Sequence, residues 1–208
     1  MKKYLVIGNP IEHSLSPKLH NYWIKQNNIN AIYEKEKLNV NDLEALVSKV
    51  REKKISGVNI TVPFKREIIK YIDKLSPEAE IVQSVNTIHL ENDKIVGFNT
   101  DINGFELAIK DINFSIKDKK IFIIGAGGVV PSIIFALKKI NVSSITISNR
   151  TKEKAENLKN FFNDLIIINW GEISDFDLII NATSLGLNNN DEIELNFPES
   201  VKDKFFYD

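Results

Sequence analysis

The stretch that decides the fold is IFIIGAGGVVPSIIFAL, residues 121–137. Residues 121–124 are a short unbroken apolar run, the signature of a buried strand, and the run ends at Gly125. A turn holding Gly125, Gly127 and Gly128 follows. Over residues 129–140, Val130, Ile133, Ile134, Leu137 and Ile140 then make one continuous apolar helical face. Glycines permit a tight turn and a close approach of backbone to a ligand, while a helix start offers unbonded N–H groups and the positive end of its dipole. Pro131 suits the first helical turn, where its missing N–H has no intrahelical partner. Val130 stands where a small residue would allow the closest strand–helix packing. Taken alone, the stretch also fits an ordinary tight turn.

Outward from it the rhythm repeats. Residues 144–148, 165–168, 177–181 and 204–207 read as strands and 152–162 as a helix, so this half is α/β with a parallel sheet covered on both faces. The second strand of the unit ends in Asn149, Arg150 and Thr151, where a dinucleotide fold meets the adenosine ribose. An NAD site places Asp or Glu there. Here the acid is absent and a guanidinium is present, which favours the 2′-phosphate of NADP. The plainer alternative has Asn149 and Thr151 capping the next helix and Arg150 in solvent. In DLIINATSLGL, residues 177–187, a strand opens at Asn181 into Thr183, Ser184 and Gly186, at a carboxyl end that lines the ligand crevice of such sheets. An ordinary strand-end turn fits these residues equally well.

The first half is also α/β. Strands are expected over 4–8, 31–38, 57–62, 85–90 and 94–98, the last two joined by an ENDK hairpin, and helices over 16–28, 42–53, 65–75 and 101–111. Ser16 as N-cap and Pro17 open the first helix. The boundary is set near Asn103, giving domains 1–103 and 104–208. In GVNITVPFK, residues 57–65, Val58, Ile60 and Val62 alternate with Asn59, Thr61 and Pro63, and the run ends on Lys65. Either this is an edge strand entering a helix, or Asn59, Thr61 and Lys65 face a polar ligand. In GNPIEHSLSPKLHN, residues 8–21, Ser14 and Ser16 mark both a routine Ser-Pro helix start and a natural carboxylate site. His13 and His20 read as local hydrogen-bonding groups. SVNTI and GFNTDINGF, residues 84–88 and 97–105, each carry Asn-Thr after a strand, and Asp101 stands where a helix N-cap is expected.

Composition excludes several classes. The 208 residues carry a net charge of −1, with 43% hydrophobic and 26% charged residues, as in ordinary soluble proteins. That balance gives no reason to expect nucleic acid or an anionic membrane as partner. The chain has no cysteine, which removes disulfides, thiolate nucleophiles and Cys-based zinc sites. The apolar run in MKKYLVIGNP is too short for a signal peptide or a membrane span, so the default address is cytoplasmic.

Together, GNPIEHSLSPKLHN, GVNITVPFK, SVNTI, GFNTDINGF, IGAGGVV, SNRT and INATSLG resemble the shikimate dehydrogenases, across both halves of the chain. The resemblance implies NADPH-dependent reduction of 3-dehydroshikimate to shikimate on the path to aromatic amino acids. It implies an N-terminal α/β substrate domain followed by a Rossmann-type doubly wound NADP-binding domain. By the same resemblance Ser14 and Ser16 hold the substrate carboxylate, and Asn59, Thr61, Asn86 and Asp101 hold ring hydroxyls. Lys65 and Asp101 match the catalytic pair. Gly125, Ala126, Gly127, Gly128, Val129, Asn149, Arg150, Thr151 and Thr183 match the cofactor site. The implied partner is a small molecule, with no metal, in a monomer or homodimer. Two departures stand out: Val129 and Val130 replace small residues, and the family continues past KFFYD, so the chain reads as an abbreviated form. A quinate-type dehydrogenase using NAD is opposed by Arg150. A non-catalytic binder of NADP or shikimate is opposed by the presence of both Lys65 and Asp101.

Overall fold

Alternation sets the first sheet. In β1 (Lys2–Gly8), Leu5 and Ile7 face one way and Val6 the other, and all three are buried. After α1 (Ser16–Gln26), β2 (Ala31–Lys37) and α2 (Leu43–Arg51) comes β3 (Gly57–Ile60), followed by β4 (Lys74–Leu75), α3 (Pro77–Val82), β5 (Thr87–Glu91) and β6 (Lys94–Phe98). The strands lie in the order β2-β1-β3-β5-β6-β4. β1 runs parallel to β2 and β3, β5 is antiparallel to β3 and β6, and β4 is parallel to β6. One face carries the main core, in which Leu43, Leu46, Val47 and Val50 of α2 pack with Leu5, Ile7, Val58, Ile60, Phe64 and Ile68. Each such side chain stabilises by about 1.5–3 kcal/mol when fully buried. The other face carries a smaller cluster of Val6, Ile11 and Tyr33 with Tyr4 and Ile24. Val58 and Ile60 therefore point to the main core, and the polar residues between them belong to the second face.

This computed structural model describes residues 1–112, 114–186, 195, 197 and 201–208. They form two compact units, Met1–Thr100 and Asp101–Asp208. The second unit holds α4 (Asp101–Asp111), β7 (Lys120–Ile124), α5 (Val130–Lys139), β8 (Ser144–Ser148), α6 (Lys152–Glu156), β9 (Leu165–Ile168), β10 (Leu178–Asn181) and β11 (Phe205–Tyr207). Its strands are parallel, in the order β11-β10-β7-β8-β9. The chain runs outward from β7 through β8 to β9, then returns to the far side of β7 for β10. The topological switch point thus lies between β7 and β10. Phe122 and Ile124 pack with Phe176 and Ile179 on one face, so Ile121 and Ile123, also buried, belong to the other.

Two local expectations change. Residues 65–75 form no α-helix: a 3₁₀ turn spans Glu67–Tyr71, and Lys74–Leu75 pair with Val96–Gly97 as β4. The helix in that region is α3, opened by Ser76, whose side chain accepts from the Ala79 N–H at 3.2 Å, with Pro77 after it. Ser16 is no N-cap. Leu15 is already helical, and the Ser16 N–H is met by Ser14 Oγ at 3.4 Å.

Candidate active site

In the first unit, β3 and β5 bring two of the expected asparagines onto one polar network. Asn59 stands opposite Thr87, and its Oδ1 accepts from the Tyr33 hydroxyl at 2.6 Å. Its Nδ2 donates to Thr87 Oγ1 at 2.9 Å and to the Asn86 carbonyl at 3.4 Å. Asn86 is 9% exposed; its Nδ2 donates to Thr100 Oγ1 at 2.9 Å, and its Oδ1 accepts from the Thr100 N–H at 3.0 Å. Both amides are thereby held in one orientation. A cavity of about 320 Å³ opens on the same face beside Tyr4, Gly57, Thr87 and His89, and of the expected site residues only Asn59 lines it.

Beyond β3 the chain turns within hydrogen-bond reach of β1 and β5. The Thr61 N–H donates to the Ile7 carbonyl at 2.9 Å, and the Phe64 N–H to the Thr61 carbonyl at 3.0 Å. The Lys65 carbonyl accepts from the Val85 N–H at 2.8 Å, which places Lys65 beside the start of the Asn86 segment. A Cβ on Gly8 would stand 2.6 Å from the Thr61 methyl, so only glycine lets β1 pass this close to Thr61. The loop carrying Ser14 is tied to β2 through Glu12. Its Oε1 pairs with Lys37 at 3.0 Å, its Oε2 accepts from the Ile11 N–H at 3.0 Å, and its carbonyl accepts from Lys35. The Glu12 N–H, the Lys37 ammonium and the Ile11 N–H hold the Glu12 carboxyl down to about 2.

In the second unit, the expected cofactor residues gather at the carboxyl ends of three adjacent strands. The Gly125 N–H donates to the Ser148 carbonyl at 2.8 Å, and the Ala182 N–H donates to the Ile124 carbonyl at 2.8 Å, which laces the ends of β7, β8 and β10 together. Gly125 has φ +112°, and a Cβ there would lie 2.7 Å from the Ala182 carbonyl oxygen. α5 begins with Pro131 in its first turn and with no side-chain cap at Val129. Gly127 is exposed, and a Cβ there would meet only the Ala182 oxygen, at 3.9 Å. This cradle fits a pyrophosphate: tight where it must turn, open where a ligand would approach, with a helix N-terminus behind it. At the end of β8, Asn149 Nδ2 donates to the Thr151 carbonyl at 2.7 Å, and Arg150 is exposed. After β10, Asn181 Oδ1 accepts from the Thr183 N–H at 3.1 Å and the Thr183 hydroxyl at 2.7 Å, which fixes Thr183 across the switch point from the glycines. Asp101 is the first residue of α4, where the helix dipole favours a carboxylate.

Comparison with known proteins completes the assignment. Residues 6–88 match the shikimate dehydrogenase substrate binding domain, and residues 106–196 match shikimate / quinate 5-dehydrogenase. The NADP(+) shikimate dehydrogenase of Pelagibacter ubique (strain HTCC1062) is 58% identical over 207 residues, spanning all of this chain and 78% of that protein. The chain belongs to the shikimate dehydrogenase family. Among solved members of the family, the Aquifex aeolicus enzyme superposes with a TM-score of 0.85 at 38% identity, over 92% of this chain and 72% of that one. The Thermus thermophilus enzyme in complex with NADP(H) and shikimate gives a TM-score of 0.80 at 32% identity, over 90% of this chain and 70% of that one.

Tyr33, Thr87 and Thr100, which hold the two asparagines, were not expected from sequence. The signal for Thr87 was present in SVNTI, where it alternates onto the same face as Asn59 once the two strands are paired. Tyr33 lies 26 residues from Asn59 with β1 between their strands, and no local pattern reports it. Among the described residues no helix is long and apolar enough to cross a membrane, and no cluster of metal-ligating side chains occurs.

Proposed function

We propose that the chain reduces 3-dehydroshikimate to shikimate with NADPH, and runs the reverse oxidation, on the route to aromatic amino acids. Residues 1–103 hold the substrate and residues 104–208 the cofactor. The observation that carries this reading is the family match over both units together with Lys65, Asp101 and Arg150, the residues the chemistry needs. When bound, the reduced nicotinamide supplies the hydride. Ser14 and Ser16 hold the substrate carboxylate, while Asn59, Thr61 and Asn86 hold ring hydroxyls. As hydride reaches the ketone carbon, negative charge grows on its oxygen. The Lys65 ammonium stabilises that charge and then gives up a proton to it. Asp101 serves as the carboxylate of the catalytic pair. Gly125, Ala126, Gly127, Gly128 and Val129 would receive the pyrophosphate and Asn149, Arg150 and Thr151 the 2′-phosphate end, with Thr183 a further cofactor contact. The test follows NADP reduction by absorbance with shikimate added. The unsubstituted chain turns over, and Lys65→Ala lowers kcat by about 10²-fold or more with a much smaller change in shikimate binding. Near-normal turnover in that variant would remove Lys65 from the chemistry.

A further inference from the structure

The first unit contains a hydrogen-bond chain with a direction. Tyr33 is 4% exposed, and its ring stacks on His20 at 4.2 Å with an interplanar angle of 6°. Its backbone is gripped by the Asn21 side chain, which donates to the Tyr33 carbonyl at 2.7 Å and accepts from the Tyr33 N–H at 3.0 Å. Among the described residues the phenol hydroxyl has one hydrogen-bond acceptor. That acceptor is Asn59 Oδ1, at 2.6 Å, an atom that only accepts. Asn59 Nδ2 consequently faces the other way, toward Thr87 Oγ1 and the Asn86 carbonyl. A carbonyl also only accepts, so the Asn59 amide is orientated from both sides. Thr87 has accepted from Asn59, and its own proton is directed to Asn86 Oδ1, at 3.1 Å. Asn86 in turn binds the N–H and hydroxyl of Thr100, the residue before Asp101.

We propose that Tyr33 is a positioning residue for the substrate: its hydroxyl decides which edge of the Asn59 amide is turned to a ring hydroxyl. This rests on the reading of Asn59 and Asn86 as substrate ligands. Burial pushes the Tyr33 hydroxyl up to about 12, so it keeps its proton, and its role as donor, throughout the neutral range. Without that donor, Asn59 Oδ1 loses its partner, and the Asn86 carbonyl, at 3.4 Å, is left to oppose a flip that turns the donor edge where the acceptor edge belongs. The network would then offer a substrate hydroxyl the wrong partner while the sheet and core stay intact.

Tyr33→Phe isolates the effect, because it keeps the ring, the stacking on His20 and the grip of Asn21, and deletes one O–H. Shikimate affinity is measured by calorimetry without cofactor, and KM and kcat by NADP reduction. The expected result is a shikimate Kd and KM raised about tenfold, the scale of a lost hydrogen bond, with kcat and the KM for NADP within about twofold. Thr87→Val reproduces the loss of affinity, and Thr87→Ser, which keeps the hydroxyl, restores it. A Tyr33→Phe protein with lower Tm but unchanged shikimate Kd overturns the proposal. Should that variant not fold, equal Kd values for Thr87→Val and Thr87→Ser overturn it instead. An unsubstituted chain that neither binds shikimate nor reduces NADP overturns the functional reading and this role with it. An active unsubstituted chain matched by Tyr33→Phe overturns the role alone.

Discussion

Gly125→Ala separates what the glycine turn does for the fold from what it does for a ligand. Two costs arise at Gly125. Its φ of +112° is a conformation that L side chains avoid, at about 2 kcal/mol. The added Cβ would also stand 2.7 Å from the Ala182 oxygen and 2.9 Å from the Ala182 carbonyl carbon. Both are backbone atoms of the strand-end loop, which cannot swing aside as a side chain would, and forcing them apart costs about another 2 kcal/mol. The sum, about 4 kcal/mol, lowers Tm by about 8–16 °C in a chain of this length. Gly127→Ala is the matched control. Gly127 lies outside the left-handed region and its Cβ would meet nothing closer than 3.9 Å, so stability changes by less than about 0.5 kcal/mol. The methyl would nonetheless intrude where a pyrophosphate approaches the backbone, and the NADP Kd should rise about tenfold. Urea and thermal unfolding read the first effect, and fluorescence titration with NADP the second. Equal stability of the two alanine variants would refute the assignment of strain to Gly125.

Arg150→Ala should weaken NADP binding by about 1.5–3 kcal/mol, as for a lost hydrogen bond to a charged group, and leave NAD binding nearly unchanged; equal losses for both cofactors would show that Arg150 does not read the phosphate. Gly8→Ala places a Cβ 2.6 Å from the Thr61 methyl and 3.1 Å from the Val62 oxygen, and should cost about 1–3 kcal/mol in urea unfolding while raising the shikimate KM. Glu12 titrates at about 2 in the folded chain against an ordinary 4.5, so its stabilising contribution is complete above about pH 4.5 and is lost as pH falls toward 2. Glu12→Gln should flatten the dependence of Tm on pH in that window, and an unaltered slope would show that other carboxylates carry it.

The α/β architecture was legible because two periods alternate cleanly along the chain. The strand expected at 121–124 and the helix at 129–140 are found as Lys120–Ile124 and Val130–Lys139. Failures came where the same local chemistry serves two ends. Ser16-Pro17 and Ser76-Pro77 are equivalent helix-start signals. Only the second is a capped start, because Leu15 had already entered the helix before Ser16. In residues 65–75, a helical apolar spacing is overridden by pairing of Lys74 and Leu75 with β6, a contact no local window contains. The polar face of β3 was visible as Asn59 and Thr61 alternating with Val58 and Ile60. What Asn59 binds was not, since Tyr33 reaches it from a strand beyond β1.

The border position of β2 in its sheet has a consequence for crowded solutions. Residues 34–37 read Glu-Lys-Glu-Lys, and alternation puts Lys35 and Lys37 on the face of Tyr33 and Glu34 and Glu36 on the opposite face. Two copies meeting edge to edge through antiparallel β2 strands would be related by a two-fold axis perpendicular to the sheet. That axis sets residue i against residue j only when both lie on the same face. Wherever two charged residues of this segment meet in such a register, lysine faces lysine and glutamate faces glutamate, an arrangement that destabilises the pairing. Glu12 gives its carboxylate to Lys37 and its backbone carbonyl to Lys35, so one negative charge stands against two positive ones there in each copy. A pattern that would be attractive between two helices is repulsive between two copies of one strand, and the open rim of the sheet resists recruiting its own kind into a growing ribbon.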